Sequence, residues 1–195
     1  MAERSPDAQE RLIALVRASP LLMLALRAAR AVDAPDWLIG AGAIRDCAWA
    51  HLHGIEQPAP RDVDLAFFDP ASPDPGRERE LRDALLAEAP GIPWEVTNQA
   101  AVHLWYPGVH GLDVRPLTSS ADGVASWPET ATAIGVRLMP DDGLRVVAPC
   151  GLDDLFGLVW RHNPRRASAA MYRRRTDEKR IAERWPRVRI VDAPS

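Results

Sequence analysis

The chain has 195 residues, 47% hydrophobic and 26% charged, with a net charge of −3; this is the composition of a globular protein about one domain in size. Its longest apolar run near the N-terminus, LLMLAL, is followed at once by Arg27 and falls far short of the roughly 20 residues of a membrane span. The opening MAERSPDAQE is polar and unlike a secretory signal, and Cys47 and Cys150 have neither metal nor disulfide spacing, so the expectation is a cytoplasmic protein with reduced thiols and no membrane partner.

Ser5-Pro6 and Ser19-Pro20 each read as an N-cap followed by proline at the first helical position, which predicts two N-terminal helices within residues 6–33. WLIG is a short apolar strand. AGAIRDCAWAHLHG follows as a helix, with Ile44, Ala48 and Leu52 on one stripe and Gly54 as its stop. After a proline-containing loop comes RDVDLAFF, a strand. Asp74-Pro75 caps the charged helix GRERELRDALLAEA, and IPWEVTNQ is a further strand. Residues 99–133 show little pattern beyond a capping box at Ser119 to Asp122 and a break at Trp127-Pro128. IGVRLMPDDGLRVVAP predicts a hairpin turning at Asp142-Gly143. GLDDLFGLVW and SAAMYRRRTDEKRIAERW read as helices, and VRIV as a last short strand. Strands and helices mix without regular alternation, which predicts an α+β fold with a mixed sheet flanked by helices. The expected organisation is one domain over 1–195: N-terminal helices at 6–33, a core at 34–150 and a helical C-terminal part at 151–195.

Within RDVDLAFF, Asp62 and Asp64 are two residues apart, so a strand places both carboxylates on one face. Like charges on a segment otherwise ready for burial repel one another and lose hydration. Two other features bear on what compensates them. Gly40-Ala41-Gly42 links a strand to a helix, where backbone N–H groups and the positive helix end approach an anion such as phosphate. Glu95, on the later strand, faces the aspartates if the strands are neighbours. Three converging carboxylates are hard ligands suited to Mg²⁺, and two such ions about 3.5–4 Å apart clamp the oxygens of an in-line phosphoryl displacement. Arg45, one turn into the helix, is placed either to reach a phosphate or to pair with Asp46.

Other residues read as structural. Asn98 suits a helix cap, His103 a packed or solvent-facing site, and the tryptophans core packing. His51 and His53 point away from each other on a helix and make a poor metal pair. Residues 161–189 hold eleven Arg or Lys against three Asp or Glu; that charge solvates a terminal helix or meets the phosphates of RNA. A dinucleotide-binding oxidoreductase is an alternative, because Gly40-x-Gly42 follows a strand and Asp62 lies about 20 residues later. It is disfavoured by Arg45 at the third glycine position.

GAGAIRD…RDVDLAFF resembles the head of the DNA polymerase β-like nucleotidyltransferase superfamily, in which a small-residue turn and helix precede hydrophobic-D-x-D-hydrophobic and a third carboxylate. Gly42-Ala43-Ile44-Arg45-Asp46 is similar to the G-x-V-R-D segment of tRNA CCA-adding enzymes. Most of the chain resembles a bacterial nucleotidyltransferase-like family, through DWLIGAGAIRDCAWAHLHG, WEVTNQAAVHLW, SWPETATAIGVRL and APCGLDDLFGLVWR. The resemblance implies a polymerase β-like core that uses two Mg²⁺ ions to move NMP from an NTP to an unidentified hydroxyl acceptor. It implies that Gly40 and Gly42, with Ala41 between them, shape the triphosphate turn. Asp62 and Asp64 would bind both metals, and Glu95 would bind one and help deprotonate the acceptor. The sequence departs from the superfamily in having Gly-Ala-Gly for an adjacent small pair and Glu for the commoner third Asp. A non-catalytic nucleotide- or RNA-binding module of the same fold is the other reading.

Overall fold

A computed structural model describes residues 6–193; the Ser5 cap lies outside them. Helices α1 (Pro6–Ala18) and α2 (Pro20–Val32) meet at 91° and bury Leu12, Val16, Leu22 and Leu26. Ser19 caps α2, its hydroxyl accepting from the Leu22 N–H. No single described helix is long and apolar enough to cross a membrane.

The remaining elements are β1 (Leu38–Gly40), α3 (Ala41–His53), β2 (Val63–Phe67), α4 (Pro75–Glu88), β3 (Trp94–Asn98), α5 (Val102–His110) and α6 (Ser120–Ala125). They are followed by β4 (Gly135–Leu138), β5 (Leu144–Val147), α7 (Asp153–Phe156), β6 (Val159–Trp160), α8 (Ala169–Glu178), α9 (Ile181–Arg184) and β7 (Arg189–Ile190). Asp74 caps α4 and Ser119 caps α6, as their spacing predicts.

Five strands form one sheet in the order β3-β2-β1-β4-β5. Only β2 and β3 run parallel; β1 is antiparallel to both β2 and β4, and β4–β5 is the expected hairpin. This is the mixed α+β sheet expected from the sequence. It also removes the dinucleotide-binding alternative, which needs β1 and β2 to be parallel strands of a βαβ unit where they are antiparallel neighbours.

The period of two along β2 divides its residues between two environments. Val63, Leu65 and Phe67 join Ile39, Trp94, Val136 and Leu138 in the main core, which α1 to α4 cover. Asp64 and Ala66 occupy the other face. That core reaches from Leu12 to Val188, so the N-terminal helices, the sheet and the C-terminal elements share one apolar interior. Trp49 meets Trp160 and Trp185 edge to face, with centroids 6.2 and 5.8 Å apart, a favourable geometry for buried rings.

Two helix expectations need correction. GLDDLFGLVW is not one helix: α7 stops at Phe156, Leu158 takes φ 53°, and Val159-Trp160 pairs with Arg189-Ile190 as a parallel two-stranded sheet. SAAMYRRRTDEKRIAERW is divided into α8 and α9 by Arg180, at φ 49°.

Candidate functional site

Strand register brings the predicted residues together. Gly40 pairs with Asp64 across β1–β2, and Asp64 pairs with Glu95 across β2–β3. The three therefore form one row on adjacent strands, spaced by about 4.8 Å per strand. Asp62, two residues before Asp64, faces the same way. All three carboxylates line a cleft of about 380 Å³, together with Ala41, Gly42 and Arg45. Asp62 and Asp64 are half-buried and Glu95 is exposed. Burial, then the neighbouring charges of Asp62 and Glu95, push the Asp64 carboxyl up to about 7 despite the opposing pull of Lys179 and Arg175. Among the described residues no three His, Cys, Asp or Glu side chains close on a single point; the carboxylates face a common space without enclosing it.

The turn leading into α3 is shaped by close packing at one residue and backbone strain at the next. A Cβ at Gly40 would lie 2.3 Å from the Ile134 carbonyl oxygen and 2.7 Å from the Trp127 ring, so only glycine fits there. Ala41 carries the left-handed conformation, at φ 52°, one that non-glycine residues adopt at a cost. Its N–H donates to the Ile134 carbonyl. Gly40, the N-cap, supplies no side-chain acceptor, so the next N–H groups of α3 are uncapped at the cleft. A Cβ at Gly42 would approach Arg45 Nη2 and Asp62 Oδ1 at 3.7 and 3.9 Å.

Arg45 makes the ion pair that its sequence position left open. Its Nε and Nη2 donate to Asp46 Oδ1 at 2.8 and 2.5 Å, and its guanidinium lies over Trp49 and Trp160. Arg184 binds the other Asp46 oxygen at 3.0 Å. Arg45 is only 2% exposed, and its Nη1 is buried without a partner.

Although the sequence pattern marked the basic segment 161–189 as a solvated helix or an RNA contact, it did not single out one by one the residues that form the wall of the cleft. Met171, Arg174, Arg175, Glu178 and Lys179 of α8 and its C-cap line it, at the i, i+3, i+4, i+7, i+8 spacing of a single helix face. Arg175 is held by Glu129, whose side chain is fully buried, through a 2.6 Å Nε–Oε1 bond; Thr132 donates to the second Glu129 oxygen at 3.0 Å. Along the rim, Trp105, Tyr106 and His110 of α5 form a ring cluster, with Tyr106 and His110 centroids 4.3 Å apart. Arg166 adds a buried Nη1 that lacks a partner.

Asn98 caps the turn after β3 and donates to the Asp69 and Ser72 carbonyls, a structural role. His103 is half-buried and does not line the cleft. His51 and His53 lie away from it, His53 against the Trp185 ring.

The sequence model of a nucleotidyltransferase family matches residues 27–190. A structure determined by NMR and described as a CCA-adding enzyme head domain superposes with a TM-score of 0.80 at 26% identity, covering 94% of this chain and 96% of that one. A CCA-adding enzyme in complex with CTP superposes at TM-score 0.52 and 17% identity, over 94% of this chain but 43% of that one. The Thermotoga maritima CCA-adding enzyme complexed with tRNA gives 0.51 and 15%, over 98% of this chain and 41% of that one. The two larger enzymes thus share the fold over less than half of their length. No curated protein matches the sequence. The match over most of its length, with the polymerase β-like fold it shares with a CCA-adding enzyme head domain, shows that this chain belongs to the nucleotidyltransferase family.

Proposed function

We propose that this nucleotidyltransferase moves NMP from an NTP to a hydroxyl acceptor, with release of pyrophosphate, and that two Mg²⁺ ions are held by Asp62, Asp64 and Glu95. The observation that carries this reading is the division of charge across one cleft: carboxylates on the sheet, and the basic face of α8 with Arg166 opposite. A metal–triphosphate complex needs both signs. The residues fit a hard divalent cation in two respects. The donor set is all oxygen, and Asp64 is held partly protonated by burial and by neighbouring carboxylates whose repulsion a cation would relieve. Bound there, Mg²⁺ would supply charge neutralisation and Lewis acidity at the phosphate undergoing displacement. The chain's own contributions are more local. The uncapped α3 turn at Ala41 and Gly42 offers N–H groups to phosphate oxygens. Glu95, exposed beside Asp64, would help deprotonate the acceptor hydroxyl.

For the acceptor, the favoured reading is the end of an RNA strand. One structural neighbour is complexed with tRNA. Here the cleft rim joins aromatic rings to Arg166 and Arg174, a combination suited to stacking bases and holding phosphates. Incubation with each α-labelled NTP and cell extract tests both parts. Label in nuclease-sensitive material is expected. Label in a protein or small molecule would reassign the acceptor, and no transfer with any NTP would contradict the reaction and leave the non-catalytic binding module.

A further inference from the structure

Of the 24 lysine and arginine residues in the chain, 23 are arginine; the only lysine is Lys179. It occupies the C-cap of α8, one turn beyond Arg175, and lines the cleft. Its surroundings are mixed. Half-burial strips part of its hydration, Arg175 and Arg45 repel it, and Glu129 and Asp62 attract it only in part, so its ammonium is held below the ordinary lysine range. Arg175 is committed to Glu129 and Arg45 to Asp46. Lys179 makes no ion pair with any described residue, so its charge has no fixed counterpart.

The position of Lys179 relative to the α3 turn indicates what completes it. The charge of Arg45 reaches Lys179, and Arg45 and Asp62 both approach Gly42. Lys179 lines the same cleft as Ala41 and Gly42 of the turn whose free N–H groups suit phosphate oxygens. A partly dehydrated, unpaired ammonium in the same cleft as such a turn calls for an anion. The residue type narrows the choice. A guanidinium matches one planar pair of oxygens, whereas an ammonium directs three rotatable donors from a compact charge and satisfies oxygens on two neighbouring phosphates.

We propose that Lys179 binds the β- and γ-phosphates of the NTP and the pyrophosphate they become. This rests on the nucleotidyl-transfer reading for the NTP, but the contact itself is measurable without turnover. Because the lysine is unique, reductive methylation with ¹³C-formaldehyde, which keeps the charge, labels only Lys179 and the N-terminal amine. The variant Lys179→Arg assigns the two resonances. Titration with magnesium pyrophosphate is expected to shift the Lys179 resonance saturably and leave the terminal amine unmoved. Lys179→Ala, and equally Lys179→Gln, should weaken pyrophosphate binding by about tenfold or more in calorimetry. The proposal is overturned if wild-type protein does not bind pyrophosphate, if it binds while the Lys179 resonance stays fixed, or if both variants bind as tightly as wild type. A moving resonance in a protein that transfers nothing would uphold the contact while contradicting the reaction.

Discussion

The floor and the wall of the cleft carry opposite charges and are positioned by different means. The floor is set by backbone pairing: once β1, β2 and β3 are in register, Gly40, Asp64 and Glu95 stand in one row. The wall is set by side chains, since α8 presents Arg175 through its bond to the buried Glu129. A sheet row holds its side chains where they fall, and burial followed by like-charge repulsion raises the Asp64 carboxyl there. The helix face pairs two of its three cations, Arg175 with the distant Glu129 and Arg174 with Glu178. The floor should therefore hold the site's strain and the wall its adaptability.

The sharpest way to separate the two is Asp64→Asn. Transfer should fall by about a thousandfold or more, the scale on which loss of metal-supported charge stabilisation acts, in a radiolabel assay on folded protein. Stability should move the other way. Wild-type Asp64 titrates near 7 when folded and near about 3.9 when unfolded, so in metal-free protein its contribution is lost as pH rises through that window. Metal-free Asp64→Asn should match wild type near pH 4 and exceed it at pH 8 in thermal melts. Equal stability at both pH values would remove the strain assigned to the floor.

On the wall, Glu129→Ala strands the Arg175 guanidinium and should cost about 3 kcal/mol in urea unfolding, the penalty for breaking a largely buried pair. A cost comparable to an exposed pair, below about 1 kcal/mol, would show that α8 is placed by something else. Gly40→Ala forces a methyl into the Ile134 carbonyl and should cost about 2 kcal/mol, as overpacking does. The smallest effect is expected at Ala41, whose φ of 52° suits glycine. Ala41→Gly should stabilise the fold by roughly 0.5 kcal/mol, strain relief outweighing added chain entropy. Destabilisation there would mean that the Ala41 methyl is packed to advantage.

The floor was largely legible in the sequence and the wall was not. Asp-x-Asp ahead of Leu65-Ala66-Phe67 announces a strand with one polar edge because side chains alternate with period two, and Glu95 needed only parallel pairing to meet it. The same regularity made the β4–β5 hairpin readable from Asp142-Gly143. The wall depends on contacts between residues 46 positions apart, Glu129 and Arg175, which no local pattern encodes. The basic run at 161–189 reads from sequence as a solvated helix or an RNA contact; in the fold one face of its helix lines the cleft. The lone lysine among the chain's 23 arginines was the available signal. Helix ends were misjudged where a non-glycine residue takes positive φ, at Leu158 and Arg180, because propensity gives such residues no stopping power. Arg45, legible as either phosphate ligand or ion-pair partner, is paired with Asp46 by tertiary burial.

The central claim, that the row of carboxylates on the floor holds divalent cations against a nucleotide, is tested most directly by titrating Mn²⁺ into the protein with a non-hydrolysable NTP and following free ion by electron paramagnetic resonance. At pH 8 two ions should bind. Because Asp64 titrates near 7 and must lose its proton to act as a ligand, affinity should drop about tenfold for each pH unit below that point. In Asp64→Asn high-affinity binding should disappear. Equal Mn²⁺ affinity in wild type and Asp64→Asn at pH 8 would contradict the account.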